Sequence, residues 1–241
     1  MAGQAGLDNA EEALTMSYFT PKTFQFLNEL ADNNSREWFK ANQDRYEEHV
    51  RDPALDFIAD FAGSLEGISP HFVADTRKVG GSLFRIQRDT RFSPDKTPYK
   101  TNTGMHFRHD RAKDAHAPGF YIHLEPRNCF MGVGLWRPET GVAYAIREHI
   151  AAEPKAWRAA TRSKALDGFY SLGGDSLSRP PKGFDADHPL IEDLKRKDFI
   201  ASAPLTQKAV TSSSFLNDYA KDCKRAVPFM RFLCEAVGVP F

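Results

Sequence analysis

The spacing of the apolar residues changes twice along this chain, and these changes constrain its fold more than any other feature. Before Gly80-Gly81 the apolar residues recur at helical spacing, as in Leu55, Ile58, Phe61, Ala62 and Leu65. After Gly81 they alternate with polar residues, a period typical of half-buried strands. Helical spacing returns from Val142. This order predicts an α+β fold with N-terminal helices, a central, mainly antiparallel β-sheet and C-terminal helices packed on it.

Prolines and capping residues indicate where the helices begin and end. Thr20 precedes Pro21, which predicts a helix that begins there, because proline fits the first helical position. Asn33-Asn34-Ser35 predicts a break followed by a second cap, and Pro53 predicts the start of a third helix. Near the C-terminus, Pro228 is expected to kink the final helix.

Four stretches alternate between apolar and polar residues and are predicted to be strands. They cover residues 84–87, 101–107, 120–125 and 129–136. Short strands that follow one another closely indicate an antiparallel sheet with one wetter face. Residues 168–188 are rich in glycine and proline and are predicted to form a long irregular loop.

Composition narrows the class of protein. The 241 residues carry no formal net charge, which does not favour a general nucleic-acid or membrane-surface binder. The sequence contains no apolar run that could span a bilayer, and Met1–Thr15 lacks the features of a signal peptide. Three scattered cysteines are typical of a reducing compartment. We therefore predict a cytoplasmic protein with a disordered leader over residues 1–17 and a single α+β domain over residues 18–241.

The segment from Arg85 to Lys100 is the most unusual part of the sequence. It holds five basic and two acidic residues, and Arg85, Arg88 and Arg91 recur every third residue. Guanidinium groups suit carboxylates and phosphates. If the predicted strand continues to Phe92, Arg88 faces the core side of the sheet, where an unpaired cation is costly. Arg88 then needs a carboxylate, carbonyl groups or a bound anion, unless a turn or bulge returns it to solvent.

Two interpretations of this segment stay open. In the first, the protein binds an anionic small molecule that bears phosphate or carboxylate, through Arg85, Arg88, Arg91, Lys96, Tyr99 and Lys100. Asp89 then orients the guanidinium groups and, if the protein is an enzyme, is the candidate general base. In the second, the arginines and aspartates form an internal salt-bridge hub of a structural or protein-interaction module, or dock an acidic protein surface. A nucleic-acid role ranks third, since the positive charge is local and the chain is neutral overall, although a short basic groove would suffice to bind a single strand.

The same segment carries a family resemblance. From Arg85 to Lys100 the chain reads R-x-x-R-D-x-R-F-x-x-D-K-x-x-Y-K, which resembles the signature of an uncharacterised protein family, domain of unknown function 2461. Residues 34–39, 132–138 and 181–184 are similar to the same family. The resemblance covers nearly the whole chain after the leader. It implies one full-length domain, and it implies no catalytic residue, substrate or cofactor.

A second polar cluster is rich in histidine and comprises His106, His109, His116, His123 and Glu125. His123 and Glu125 share a strand face, so they are the better metal ligands of this group, with His106 on the neighbouring strand as a third. Their spacing matches no recognised zinc pattern, and we predict no metal. We also predict no cofactor, because Gly132-x-Gly134 lacks the third glycine of a dinucleotide-binding loop.

Overall fold

A computed structural model describes residues 17–111 and 118–241 of the chain. Helices lie at both ends and an antiparallel β-sheet lies between them, which confirms the predicted α+β fold. Residues 1–16 of the predicted leader lie outside the described residues, as does His116 of the histidine-rich cluster. Ser17, the last residue of the predicted leader, is described, and its hydroxyl donates to the Thr211 carbonyl over 2.7 Å.

Three of the described N-terminal helices begin where the capping residues and prolines predict, and Gln43–Tyr46 is an additional short helix. They are α1 (Pro21–Asp32), α2 (Arg36–Ala41), α3 (Gln43–Tyr46) and α4 (Asp52–Glu66). The Thr20 amide donates to Thr23 Oγ1 over 3.1 Å at the start of α1. The Ser35 hydroxyl caps α2 by accepting from the Trp38 amide over 3.2 Å. Pro53 lies in the first turn of α4, as predicted, and a π-helical turn, Glu47–Arg51, leads from α3 into α4.

The described residues form a six-stranded sheet in which every neighbouring pair is antiparallel. In spatial order the strands are β1 (Phe72–Val73), β2 (Thr103–His109), β3 (Gly119–Leu124), β4 (Cys129–Leu135), β6 (Phe199–Leu205) and β5 (Ser171–Gly173). β2, β3 and β4 confirm three of the four predicted strands. β5 and β6 are missing from the prediction, because β5 is very short and β6 contains Pro204, which argues against a central strand. β5 pairs only with residues 200–202 of β6. At Pro204, among the described residues, β6 pairs with β4 alone.

The remaining helices follow β4, and several of them alternate with β5 and β6. They are α5 (Thr140–Ala152), α6 (Pro154–Thr161), α7 (Ile191–Leu194), α8 (Gln207–Val210), α9 (Phe215–Arg225) and α10 (Val227–Ala236). Pro228 lies in the first turn of α10 and starts this helix, because α9 already ends at Arg225. The predicted kink within one long helix is therefore wrong.

Two groups of buried side chains hold these elements together. The main core lies between one face of the sheet and helices from both ends of the chain, and its fully buried rings include Phe57, Phe61, Phe107, Phe120 and Tyr219. The second core is smaller and consists of Phe26, Leu27, Leu30, Phe39, Tyr46, Val50 and Ile86, with Trp38 and Tyr99 packed against it. All members of the second core except Ile86 and Tyr99 come from residues 26–50.

The predicted strand over residues 84–87 is wrong, because this part of the chain forms only isolated bridges. Leu83 pairs with Met105, and Gln87 pairs with Tyr99. The buried side chains are Leu83 and Ile86, which are three residues apart instead of two. Leu83 packs in the main core and Ile86 in the second core. The segment therefore crosses from one core to the other and does not follow a single face of the sheet.

Candidate functional site

The arginine loop, residues 88–98, is closed at its base by backbone hydrogen bonds. The Arg88 amide donates to the Pro98 carbonyl over 2.9 Å, and the Lys100 amide donates to the Ile86 carbonyl over 2.8 Å. This turn replaces the regular strand that would have carried Arg88 to the core side of the sheet. Arg88 is instead half-buried, and the tip of the loop projects outward with Phe92 exposed.

Asn34 fastens the base of this loop to the N-terminal helices. Its side-chain nitrogen donates to the Tyr99 carbonyl over 2.9 Å, and its side-chain oxygen accepts from the Tyr99 amide over 3.0 Å. The Tyr99 ring stacks on Phe39, with ring centroids 4.1 Å apart and planes 18° apart. Asn34 thus binds the Tyr99 backbone much as a neighbouring strand would. The sequence predicts that Tyr99 is a ligand residue, whereas in the structure its ring packs against the second core.

The two acids of the segment pair with two of its arginines inside the loop. Arg91 binds Asp89 as a fork, with Nε 3.0 Å from one carboxylate oxygen and Nη2 2.7 Å from the other. Arg88 donates through Nη1 to the Asp95 carboxylate and to the Thr97 hydroxyl. Each pair joins residues of the same loop, so neither ties the sheet to a helix.

These contacts keep both loop carboxylates ionised. The Thr97 backbone amide, the Arg88 guanidinium and the Thr97 hydroxyl lower the pKa of Asp95 to about 2. The Arg91 side chain and the Arg91 amide lower the pKa of Asp89 well below its usual range. A carboxylate of low pKa that is already engaged by a guanidinium is a weak base. The geometry gives no support to the predicted role of Asp89 as a general base, although Asp89 does orient Arg91.

The other three cations of the segment have no carboxylate partner among the described residues. Lys96 Nζ donates to the Thr90 carbonyl over 2.8 Å, and Lys100 Nζ donates to the Arg85 carbonyl over 2.8 Å. The Lys100 ammonium also lies 5.5 Å from the centroid of the Phe84 ring. Burial and the nearby Arg85 charge lower the pKa of Lys100. The excess of positive charge in this segment is therefore not neutralised by acids from elsewhere in the described structure.

A cavity of about 250 Å³ lies between the N-terminal helices and residues 78–87. Its aromatic walls are Phe39 and Tyr46 of the second core and Phe84 of the crossing segment. Arg85 lines this cavity, whereas the other predicted ligand residues do not, namely Arg88, Arg91, Lys96, Tyr99 and Lys100. The structure thus separates Arg85 from the rest of the predicted site, because Ile86 turns into the second core directly after it.

The charges that line the cavity are three cations and one carboxylate, Arg51, Lys78, Arg85 and Glu47. Glu47 accepts from Arg51 Nη1 over 2.6 Å and from Gln43 Nε2 over 3.1 Å. Gln43 first and Arg51 second lower the pKa of Glu47, and the Lys78 charge contributes as well, so this carboxylate is ionised. Arg51 also binds Asp52 over 2.8 Å. Among the described residues, neither Lys78 nor Arg85 has a carboxylate within ion-pair distance. The sequence did not indicate Arg51 and Lys78 as site residues, because both lie outside the basic segment.

A row of polar side chains lies along β3 on the wetter face of the sheet. Of these, the sequence indicated His123 and Glu125 but not Tyr121. The Tyr121 hydroxyl lies 3.0 Å from His123 Nδ1, and His123 Nε2 lies 3.3 Å from Glu125. The side-chain nitrogen of Asn102 lies 3.1 Å from the same His123 nitrogen. Burial lowers the pKa of His123 despite the opposing effect of Glu125, and burial raises the pKa of Tyr121 to about 12. Both groups are therefore neutral near pH 7.

The structure does not gather the three residues that the sequence favours as metal ligands. His106 lies on β2 directly opposite Tyr121, while His123 and Glu125 contact each other along β3. Within the described ranges, the ligand atoms of His106, His123 and Glu125 do not all three lie within 4.8 Å of one another. One ion could not bind all three without rearrangement.

The fold and this geometry define an α+β protein with a basic, aromatic-lined cavity beside a loop of self-paired arginines. Residues 22–232 match the model of a family described as conserved hypothetical protein (DUF2461). The chain belongs to this family, which confirms the assignment made from its sequence motifs. No curated protein matches the chain. Among the helices of residues 17–111 and 118–241, none combines the length and apolar character that crossing a membrane requires.

Proposed function

We propose that this protein binds a small anionic molecule in the cavity between the second core and residues 78–87. The observation that carries this proposal is the environment of Arg85. It lines the cavity and, unlike Arg88 and Arg91, has no carboxylate partner among the described residues. Lys78 lines the same cavity and has no carboxylate within ion-pair distance among the described residues, although Glu47 interacts with it at longer range. Arg85 is therefore available to an anion, and a bound anion would relieve its repulsion with Lys78.

The walls of the cavity define the class of ligand. A guanidinium binds carboxylate or phosphate through two parallel hydrogen bonds, which gives Arg85 its role as the main ligand. Phe39, Tyr46 and Phe84 offer apolar surface to the rest of the molecule. The volume of about 250 Å³ lies just below the range of about 300–1,000 Å³ that is usual for ligand pockets. A small carboxylated or phosphorylated metabolite fits this space better than a dinucleotide.

The internal salt-bridge hub is a second candidate role, and it concerns different arginines. It is supported for Arg88 and Arg91, whose partners Asp95 and Asp89 lie in the same loop. Exposed ion pairs of this kind contribute little to stability, so they shape the loop more than they stabilise the fold. The two roles are compatible, because the paired arginines order the loop while Arg85 remains available to the ligand.

Thermal unfolding in the presence of candidate anions tests the proposal. Phosphate, sulfate, citrate and nucleotides would be compared with sodium chloride at equal ionic strength. A ligand that binds only the native state stabilises it by about 2.7 kcal/mol at one hundred times its Kd, so one of these anions is expected to raise the Tm. Arg85→Ala is expected to abolish the shift, and Lys78→Ala to reduce it.

Arg91→Ala is the matched control for Arg85→Ala. It removes the same charge from the same segment, but Arg91 does not line the cavity, so this variant is expected to keep the ligand-induced shift. The proposal is wrong if the two variants respond alike, or if none of the anions raises the Tm of the unmodified protein above the sodium chloride reference.

A further inference from the structure

We infer that a divalent transition-metal ion binds at the β1 edge of the sheet, between His71, His109 and Asp110. In the part of the chain that the structure describes, these three side chains place their ligand atoms within 4.8 Å of one another. None of them lines the proposed anion cavity. The inference therefore stands independently of the proposed function. It also replaces the sequence-based prediction that the protein has no metal site.

The distances suit a transition-metal ion. His71 Nδ1 lies 3.3 Å from one oxygen of Asp110, and His109 Nδ1 lies 3.1 Å from the other. In a tetrahedral zinc site with bonds of about 2.0–2.1 Å, neighbouring ligand atoms are about 3.4 Å apart. The Asp110 carboxylate thus stands between the two imidazoles at nearly the spacing that a shared ion requires. Two imidazole nitrogens and one carboxylate oxygen leave a fourth position for water.

Strand pairing brings together residues that are far apart in the sequence. β1 and β2 are antiparallel, with Phe72 opposite His109. The Asp110 amide donates to the His71 carbonyl over 2.7 Å, so backbone pairing continues one residue beyond the two strands. His71 and Asp110 are therefore fixed opposite each other at the sheet edge. Sequence reasoning could not find this group, because His71 lies well before the histidine-rich segment.

His109 is the best fixed of the three ligands. Only 1 % of its side chain is exposed, and its Nε2 lies 2.8 Å from the Pro240 carbonyl oxygen. A carbonyl can only accept, so Nε2 carries the hydrogen and Nδ1 keeps the lone pair that a metal ion would use. Metal-binding imidazoles almost always donate their second N–H to such a partner, which sets the tautomer and the ring orientation.

Binding requires two local changes, and both are accessible. The Arg111 amide donates to His109 Nδ1 over 3.1 Å, and the ion replaces this hydrogen bond. The rings of His71 and His109 are 11° from parallel, with centroids 5.5 Å apart, so His71 must turn to direct Nδ1 at the ion. His71 lies just before β1 with 30 % of its side chain exposed. Its rotation leaves the main core undisturbed.

The donor set selects the class of ion. Imidazole nitrogens favour zinc, copper, nickel and cobalt, whereas magnesium and calcium prefer sites made of oxygen atoms. Zinc is the appropriate first probe, and cobalt is a spectroscopic substitute because its visible absorption reports the coordination number. Magnesium serves as the negative comparison.

Isothermal titration of the full chain, purified without a histidine tag and freed of metal by chelation, tests the inference. One equivalent of zinc is expected to bind, while magnesium produces no heat of binding. His71→Ala and Asp110→Asn are each expected to weaken zinc binding by about ten-fold or more, in line with the loss of a ligand or its support. Both positions are partly exposed, so these variants are expected to fold, whereas a substitution of the buried His109 need not.

His149→Ala is the matched control, because His149 also lies beside a carboxylate and is similarly exposed, at 28 % against 30 % for His71. It is expected to bind zinc as the unmodified protein does. The inference is overturned if the unmodified protein binds no zinc, or if His71→Ala and Asp110→Asn bind it as tightly as His149→Ala.

Discussion

The main core and the second core hold different parts of the molecule in place. The main core joins the sheet to helices from both ends of the chain, and the Phe57 ring lies 5.3–5.9 Å from those of Phe61, Phe215 and Tyr219. The second core joins α1, α2 and α3 to only one distant segment, through Ile86 and Tyr99. The base of the arginine loop rests on this smaller core, and the cavity lies beside it, with Leu83 of the main core also in its wall.

The difference between the two cores shows that packing determines which arginines form ion pairs. The second core holds Ile86 and Tyr99, so the intervening residues 88–98 project as a loop whose two aspartates meet Arg88 and Arg91. Arg85 precedes Ile86 and is left at the cavity instead. Arginines that are equivalent by spacing in the sequence therefore have different environments in the structure.

Substitution of a fully buried phenylalanine in each core should have the largest effect on stability and should distinguish the two cores. Phe57→Ala and Phe26→Ala are each expected to lower the free energy of unfolding by about 3–5 kcal/mol, because each leaves a cavity. Only Phe26→Ala should also reduce the stabilisation by the bound anion, since the Phe26 ring packs against Phe39 and Tyr46, which line the cavity. Urea denaturation with and without the anion measures both effects. An equal loss of anion response in the two variants would contradict the assignment of the cavity to the second core.

Asn34→Ala should have the next largest effect. It removes both side-chain hydrogen bonds to the Tyr99 backbone and is expected to lower the free energy of unfolding by about 1–3 kcal/mol. Hydrogen exchange should become faster at the base of the arginine loop and remain unchanged in β3 and β4. The control is Asn33→Ala, because the Asn33 side chain bonds only to the Glu29 carbonyl at the end of α1. Equal acceleration of exchange in both variants would show that Asn34 does not fasten the loop.

Removal of the loop ion pairs should have a smaller effect. Arg91→Ala and Arg88→Ala are each expected to lower the free energy of unfolding only slightly, and less than Asn34→Ala does, since these pairs are partly or largely exposed. The difference from the unmodified protein should shrink as salt is added. A loss of several kcal/mol on Arg88→Ala in the absence of ligand would instead favour a structural hub that supports the whole fold.

The smallest expected effect is a pH dependence confined to the arginine loop. The folded pKa of Asp95 is about 2, below its ordinary value of 3.8. A depressed carboxyl pKa stabilises the folded loop above the ordinary pKa, and this contribution is lost as the pH falls through the folded value. NMR spectra between pH 5 and 2 should therefore show the loop losing order while β3 and β4 remain ordered. In Asp95→Asn this loop transition should be absent or weaker; an unchanged transition would exclude Asp95 as its cause.

Local signals predicted much of the fold correctly. These signals act over a few residues and can therefore be recognised in the sequence. They are the cap at Thr20, the proline at position 21 and the alternation in β2, β3 and β4. The errors occur where distant contacts override the local pattern. Residues 84–87 alternate like a strand, but Leu83 and Ile86 pack into different cores. β6 forms despite Pro204, because among the described residues only β4 pairs with β6 at this position, through Phe130, whereas β5 pairs with residues 200–202.

The family, the α+β class and the position of a basic segment that includes Arg85 are all encoded in local sequence patterns. The folded chain alone shows that Arg85 lines a cavity with Lys78, that Arg88 and Arg91 pair within their own loop, and that His71 meets His109 and Asp110. The two groups of features differ because the underlying interactions act over different distances along the chain. Caps and alternation depend on neighbouring residues, whereas charge pairing and metal-ligand geometry depend on which distant segments the two cores and the β1–β2 pairing bring together.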